Sequence, residues 1–227
     1  MLIAEDLLLL LTDDRTGKLS TSSNAVDVAL GGAMLIELTL GKRVDIAGEV
    51  EAVRKGRLVV RDPSPTSDAL LDEALAHLEK KQGKKPKDVV PALGKGLRRR
   101  LYSRLAEQGI LREESGKTLG ILPRHQWPTI DASHEDSVRT LVTHALRAGA
   151  TDDLRAGALV SLLHALKVVP KVVDPASVGI TKKEMKANAK AVAKGSWGSE
   201  AVRKAIDEMT AAVIAATTAA TVTAGSS

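Results

Sequence analysis

Between Lys95 and Arg104 the chain reads KGLRRRLYSR, its densest run of cations and the stretch best equipped for chemistry. Guanidinium groups present forked donors that match phosphate and carboxylate oxygens, and a packed helix supplies the rigidity such recognition needs. At helical spacing Leu97, Leu101 and Leu105 face a core, while Lys95, Arg98, Arg99 and Tyr102 fall on one flank. That pattern predicts an anion-binding plate of three cations beside one ring. A merely solvated basic face has the same pattern. Lys182, Lys183, Lys186, Lys190 and Lys194 form a second cationic array on another predicted helix. It reads as a solubilising surface unless the two arrays share a face, in which case each lysine adds attraction to an anionic leaflet.

Other chemistry is thin. The sequence has no P-loop, no GxGxxG after a strand, no HExxH and no GxSxG, so neither a catalytic residue nor a cofactor is expected. The five histidines are scattered; His134 and His144 could meet a carboxylate at a metal, but solvated or core histidines fit the spacing better, and no metal ligand is assigned. Glu37 interrupts an apolar helix. A structural bond to the start of a neighbouring helix explains it better than acid–base work.

The elements that position these groups follow from composition and periodicity. With 227 residues, 44% apolar and 27% charged, the chain can bury one large core, and residues 1–227 are read as a single domain with a frayed end. Cysteine is absent, which removes disulfides and thiolate metal sites. Aromatics number three, Tyr102, Trp127 and Trp197, so the core is aliphatic and the stacking platforms of single-strand nucleic-acid binders are lacking. Residues 95–127 hold eight Lys or Arg against three Glu, and 167–204 hold nine against three acids. With a net charge of +5, the remainder is acidic, so the positive charge is directed.

The apolar start, MLIAEDLLLLLT, contains Glu5 and Asp6 with no basic residue ahead of them, unlike a signal peptide, and is expected to form a buried helix. Asp13 to Lys18 reads as a turn. Ser22, Ser23 and Asn24 offer caps for a second helix to about Leu40, whose apolar run Val28–Leu40 is short of the ~20 residues that cross a bilayer. It is the expected central helix. A small antiparallel meander is predicted across Val44 to Asp62 from RVDIAG, EVEAV and RLVV, then a helix from Thr66 or Ser67, a loop over 82–88, and a helix from Lys95 to Gln108 with Gly109 at its end. Ile110–Arg112 and Thr118–Leu122 flank ESGK, read as a hairpin turn. Leu119, Ile121 and Leu122 make its return strand apolar, suited to a membrane, a second copy in a homo-oligomer, or the core. Helices are predicted over about 134–148, 152–168, 181–195 and 199–220, with capping boxes at Ser133–Asp136 and Thr181–Glu184. The fold class is mainly α: a helical bundle around a central hydrophobic helix, with a small antiparallel meander and a projecting β-hairpin.

Taken in order, EDLLLLLTDDRTGKLS, ALGGAMLIELTLGKRV, TSDALLDEALAHL and RRRLYSRLAEQGIL followed by the hairpin resemble the Golgi phosphoprotein 3 family over essentially the whole chain. The resemblance implies a helical fold with a central hydrophobic helix and a projecting hairpin, and no catalysis. Eukaryotic members are peripheral membrane proteins at the cytosolic face that bind phosphatidylinositol 4-phosphate and the tails of membrane-bound glycosyltransferases. They read the headgroup with a tryptophan and an arginine on the central helix and two arginines three apart on a later one. Laid on without gaps, those positions are Ser22, Gly31, Lys95 and Arg98, so the first two depart from the pattern. The phenylalanine-free, Ala- and Gly-rich composition resembles a bacterial protein. The resulting expectation is a cytoplasmic peripheral membrane or adaptor protein that binds an anionic lipid headgroup or phosphorylated ligand through Lys95, Arg98 and Arg99. The alternative is a nucleic-acid-binding or regulatory protein using the same face, disfavoured because the 95–108 helix offers only Gln108 to read bases.

Overall fold

The computed structural model describes residues 1–14, 16–49, 51–118, 122–195, 206–215 and 217–218, and of 115–118 and 122–126 the backbone alone. Helix α1 (Ile3–Leu11) is buried along its whole length, and α2 (Ser23–Leu40) packs across it as the centre of the bundle. By length and composition α2 could cross a membrane, but 67% of it is buried inside the fold, where helices α1, α3 (Ala69–Glu79), α4 (Pro86–Gly94), α5 (Leu97–Glu107) and α7 (Leu154–Ala165) surround it. Ser22 caps α2 by accepting the Ala25 amide. The remaining helices are α6 (Ser133–Ala148), the short α8 (Val169–Val172), α9 (Lys182–Lys194) and a segment over 206–215; α7, α8 and α9 pack together. The fold is mainly α, as the periodicities require.

Helix α4 is tied to α2 by two glycines. A Cβ on Gly31 would lie 2.2 Å from the Val90 carbonyl oxygen, and one on Gly94 would lie 1.8 Å from the Asp27 carbonyl oxygen. The backbones therefore touch where they cross, which only glycine permits on both sides.

Several local expectations are corrected. The loop read over 82–88 gives way to α4 at Pro86, which sits in the first turn, where its missing N–H is no loss. The single helix expected from Lys95 is broken: Lys95 ends α4, and Gly96, at φ +73°, turns the chain into α5. Among the described residues the meander has two strands, and EVEAV supplies neither. β1 (Val44–Ile46) pairs antiparallel with β2 (Leu58–Val60) in the register Val44 to Val60, while the described part of EVEAV bends around Glu51, whose carboxylate accepts the Gly48 amide and pairs with Arg61. ESGK is not a turn but the start of β3 (Glu114–Thr118), which pairs with β4 (Leu122–Gln126). Leu119 and Ile121 lie outside the described residues; Leu122 opens β4. Ser133 does not form a capping box, since Asp131 accepts its amide and Ala132 occupies the cap, whereas Thr181 and Glu184 form theirs.

Helix α1 carries two charges into the core. Glu5 and Asp6 are both fully buried, and each is met by an arginine entering from the surface. Arg104 on α5 bridges Glu5 at 3.0 Å and Asp68 at 2.6 Å. Arg155 on α7 pairs with Asp6 and donates to the Met1 carbonyl at 2.7 Å, while His134 approaches the other Asp6 oxygen at 2.8 Å. Glu37 accepts the Ile3 amide at 2.5 Å, the structural bond expected of it, and burial, the largest influence, raises its pKa above the ordinary carboxylate value.

Candidate anion site

The N-terminus of α5 is the geometric centre of the site. Gly96 adopts a left-handed conformation and offers no side chain, so no side chain caps the first amides of α5, and a helix start of this kind favours negative charge. Arg98 and Arg99 follow immediately. Together with Gly17, Leu19, Asp27, Gly96, Tyr102, Glu113 and Trp127 they line a depression of about 370 Å³.

Its aromatic wall comes from two chain segments. Trp127, just after β4, stacks on Tyr102 with ring centroids 5.1 Å apart and planes within 6°. Both rings are nearly buried, so Tyr102 does not stand out on a solvent flank as its helical position suggested. Its hydroxyl instead hydrogen-bonds with that of Thr12 at 2.8 Å, fixing the end of α1 against α5. Burial pushes the phenol pKa up, partly offset by the Thr12 bond and nearby Arg98.

Arg98 is aimed by Asp27. Its Nε donates to Asp27 Oδ1 at 2.9 Å, holding the guanidinium in place while, among the described residues, its two terminal nitrogens have no protein acceptor. Arg99 is exposed and has no ion pair among the described residues. One partly neutralised and one free guanidinium thus share the depression.

Lys95 does not join them. It lines a separate hollow of about 170 Å³ with Leu70, His77 and Leu93, closed on one side by the bidentate Arg100–Glu73 pair at 2.6 and 2.7 Å. Ser22 lies elsewhere again, in a hollow of about 460 Å³ with Asn24, Lys167 and Ile214. Gly31 is buried in the α2–α4 crossing, against Val90 and Gly94. Of the three cations that the sequence grouped, Arg98 and Arg99 line this depression and Lys95 does not, while Asp27, Gly17 and Trp127 join it unannounced. Asp27 could have been noticed as the one acid in the amino-terminal half of an otherwise apolar helix.

A larger hollow, about 550 Å³, adjoins the first and shares Leu19 with it; Asp13, Asp14, Lys18, Ser20, Arg139, Lys171 and Val172 line it. Beneath it Glu135, 1% exposed, pairs with Arg139 and lies beside the Asp14 carboxyl. Burial, then the neighbouring Asp14, pushes its pKa up to about 7. Among the described residues no three His, Cys, Asp or Glu side chains converge as a metal would require.

The geometry defines a class: a helical bundle around a buried apolar helix, with a depression that sets two arginines against two acids, walled by stacked rings, and a hairpin alongside. The profile of the Golgi phosphoprotein 3 (GPP34) family matches residues 3–209, and the chain belongs to that family. It is also similar to vacuolar protein sorting-associated protein 74 of Eremothecium gossypii, with 30% identity over 165 residues, 63% of this chain and 48% of that protein. The chain thus spans about half the length of the relative.

Proposed function

We propose that the chain is a non-enzymatic peripheral membrane adaptor that takes a phosphorylated headgroup, or a ligand bearing the same phosphate, in the depression at the start of α5. The observation that carries this reading is the pairing of Asp27-aimed Arg98 with free Arg99 beside the uncapped α5 terminus and the Trp127–Tyr102 stack. Phosphate oxygens meet forked donors and helix amides, and the ring edge of Trp127 offers an apolar wall for a polyol. Lys95, from its separate hollow, adds long-range attraction only. Family membership supports work at the cytosolic face of a membrane, with membrane-protein tails as clients.

The test is co-sedimentation with phosphatidylcholine vesicles with and without phosphatidylinositol 4-phosphate. Arg98→Glu should weaken headgroup-dependent binding roughly 10- to 100-fold, the equivalent of one charge-assisted hydrogen bond of about 1.5–3 kcal/mol. Lys95→Glu should weaken it far less. Binding equal with and without the phosphoinositide, or equal losses at Lys95 and Arg98, would overturn the assignment. A steep salt-dependent affinity for duplex DNA in place of vesicle binding would instead favour the nucleic-acid alternative.

A further inference from the structure

Helix α9 carries five lysines, at 182, 183, 186, 190 and 194, all exposed. Its buried side is Met185, Ala189 and Val192, and Asn188 turns toward α6 to bond the Leu146 carbonyl. At 100° per residue the lysines occupy one stripe flanking that buried side. Among the described residues none of the five has an ion pair, and the one acid on the helix, Glu184, is held in the capping box with Thr181. The stripe continues onto other elements. Lys186 shares a small hollow with His164, Lys167, Val169 and Pro170, and Lys190 adds to burial in holding the His164 pKa below its ordinary value.

This surface reaches beyond α9. Lys167 lines both the Lys186 hollow and the hollow holding Ser22 and Ile214. Lys171 donates to the Ser20 carbonyl at 3.0 Å, on the loop whose Gly17 and Leu19 wall the Arg98 depression. A line of cations therefore runs from Lys190 and Lys186 through Lys167 toward Ile214. Ile214 stands on this line 42% exposed, an apolar side chain suited to a lipid surface and not to a phosphate backbone. Lysines are compact point charges without the fork that selects one phosphate, so the array suits diffuse attraction to many anionic heads.

We propose that the α9 face is a second, lipid-unspecific contact that lays the protein on an anionic leaflet while the depression at α5 selects a headgroup. The proposal rests on the membrane-adaptor reading. Its occupant is a bilayer rich in phosphatidylserine, recognised by charge density alone.

The experiment is co-sedimentation of the full chain with phosphatidylcholine vesicles containing phosphatidylserine and no phosphoinositide. Replacing Lys182, Lys186 and Lys190 together by Gln should lower the partition coefficient roughly a hundredfold, while the matching Lys→Arg set retains binding. The Gln set should keep its preference for phosphatidylinositol 4-phosphate over phosphatidylserine vesicles, which Arg98→Glu loses, so loss of headgroup selection and loss of the α9 contact are read separately. Undiminished binding by the Gln set would overturn the proposal, as would wild-type binding to duplex DNA but not to the vesicles.

Discussion

Replacing Glu135 by Gln should remove a pH dependence that this one residue builds into stability. Glu135 is almost fully buried, gives one oxygen to Arg139 and, among the described residues, has no hydrogen-bond donor on Oε2, while the Asp14 carboxyl lies beside it. Its pKa rises from an ordinary 4.5 to about 7. Below pH 4.5 the folded and unfolded chains both hold the proton. Between 4.5 and 7 the folded state holds it and the unfolded state does not, so stability falls as pH rises through this window and is level above it. A rise of that size is worth roughly 3 kcal/mol. His164, lowered by burial, acts in the opposite sense below about pH 6.5, and Glu51, lowered to about 2 by Arg61, acts only below about 4.5. Comparing variant with wild type cancels both. An amide at 135 can accept from Arg139 and donate toward Asp14 at every pH, so urea denaturation should show the variant about equal to wild type at pH 4.5 and more stable by up to ~3 kcal/mol at pH 8. Parallel curves across that range would show that Glu135 does not titrate there and would refute the reasoning.

Gly94→Ala should destabilise by ~3 kcal/mol or more, because its Cβ would strike the Asp27 carbonyl and force α2 and α4 apart; thermal melting should fall by roughly 6–12 °C. Gly41→Ala, whose added carbon meets nothing nearer than 3.4 Å, serves as the control and should shift it little. Arg155→Met leaves the fully buried Asp6 with His134 alone and should cost about 3 kcal/mol in chemical denaturation, with the Asp6→Asn, Arg155→Met pair recovering much of the loss. Equal losses in the single and double variants would deny that an unpaired charge is the cause.

The long periodic helices were legible because their apolar spacing is dictated by the core they bury. Helix α2 reads as central from its composition alone, and α9 announces its start through Thr181 and Glu184. What stayed hidden was set by single residues acting at a distance. Pro86 reads equally well as loop or first turn, and only packing of Val89 and Val90 on α2 decides for the helix. Gly96 splits the 95–108 run because its left-handed backbone turns α4 into α5, and this turn sends Lys95 into a different hollow from Arg98. The site was half legible for the same reason. Helical spacing groups Arg98, Arg99 and Tyr102 but is silent about Trp127, twenty-five residues on, or Asp27, seventy-one residues earlier, which reach the depression through tertiary contacts. Glu5 and Asp6 signalled a break in an apolar run, yet their partners Arg104 and Arg155 come from helices that sequence order alone does not bring near.

The mutual fit of Gly31 and Gly94 also limits how this protein can be re-engineered. Grafting an arginine onto position 31 is no point change: the long side chain has nowhere to go until α4 is lifted away and Val90 and Gly94 are rebuilt with it. A designer probing the proposed phosphate site would do better to work from the loop at Gly17 and Leu19, which lines the depression.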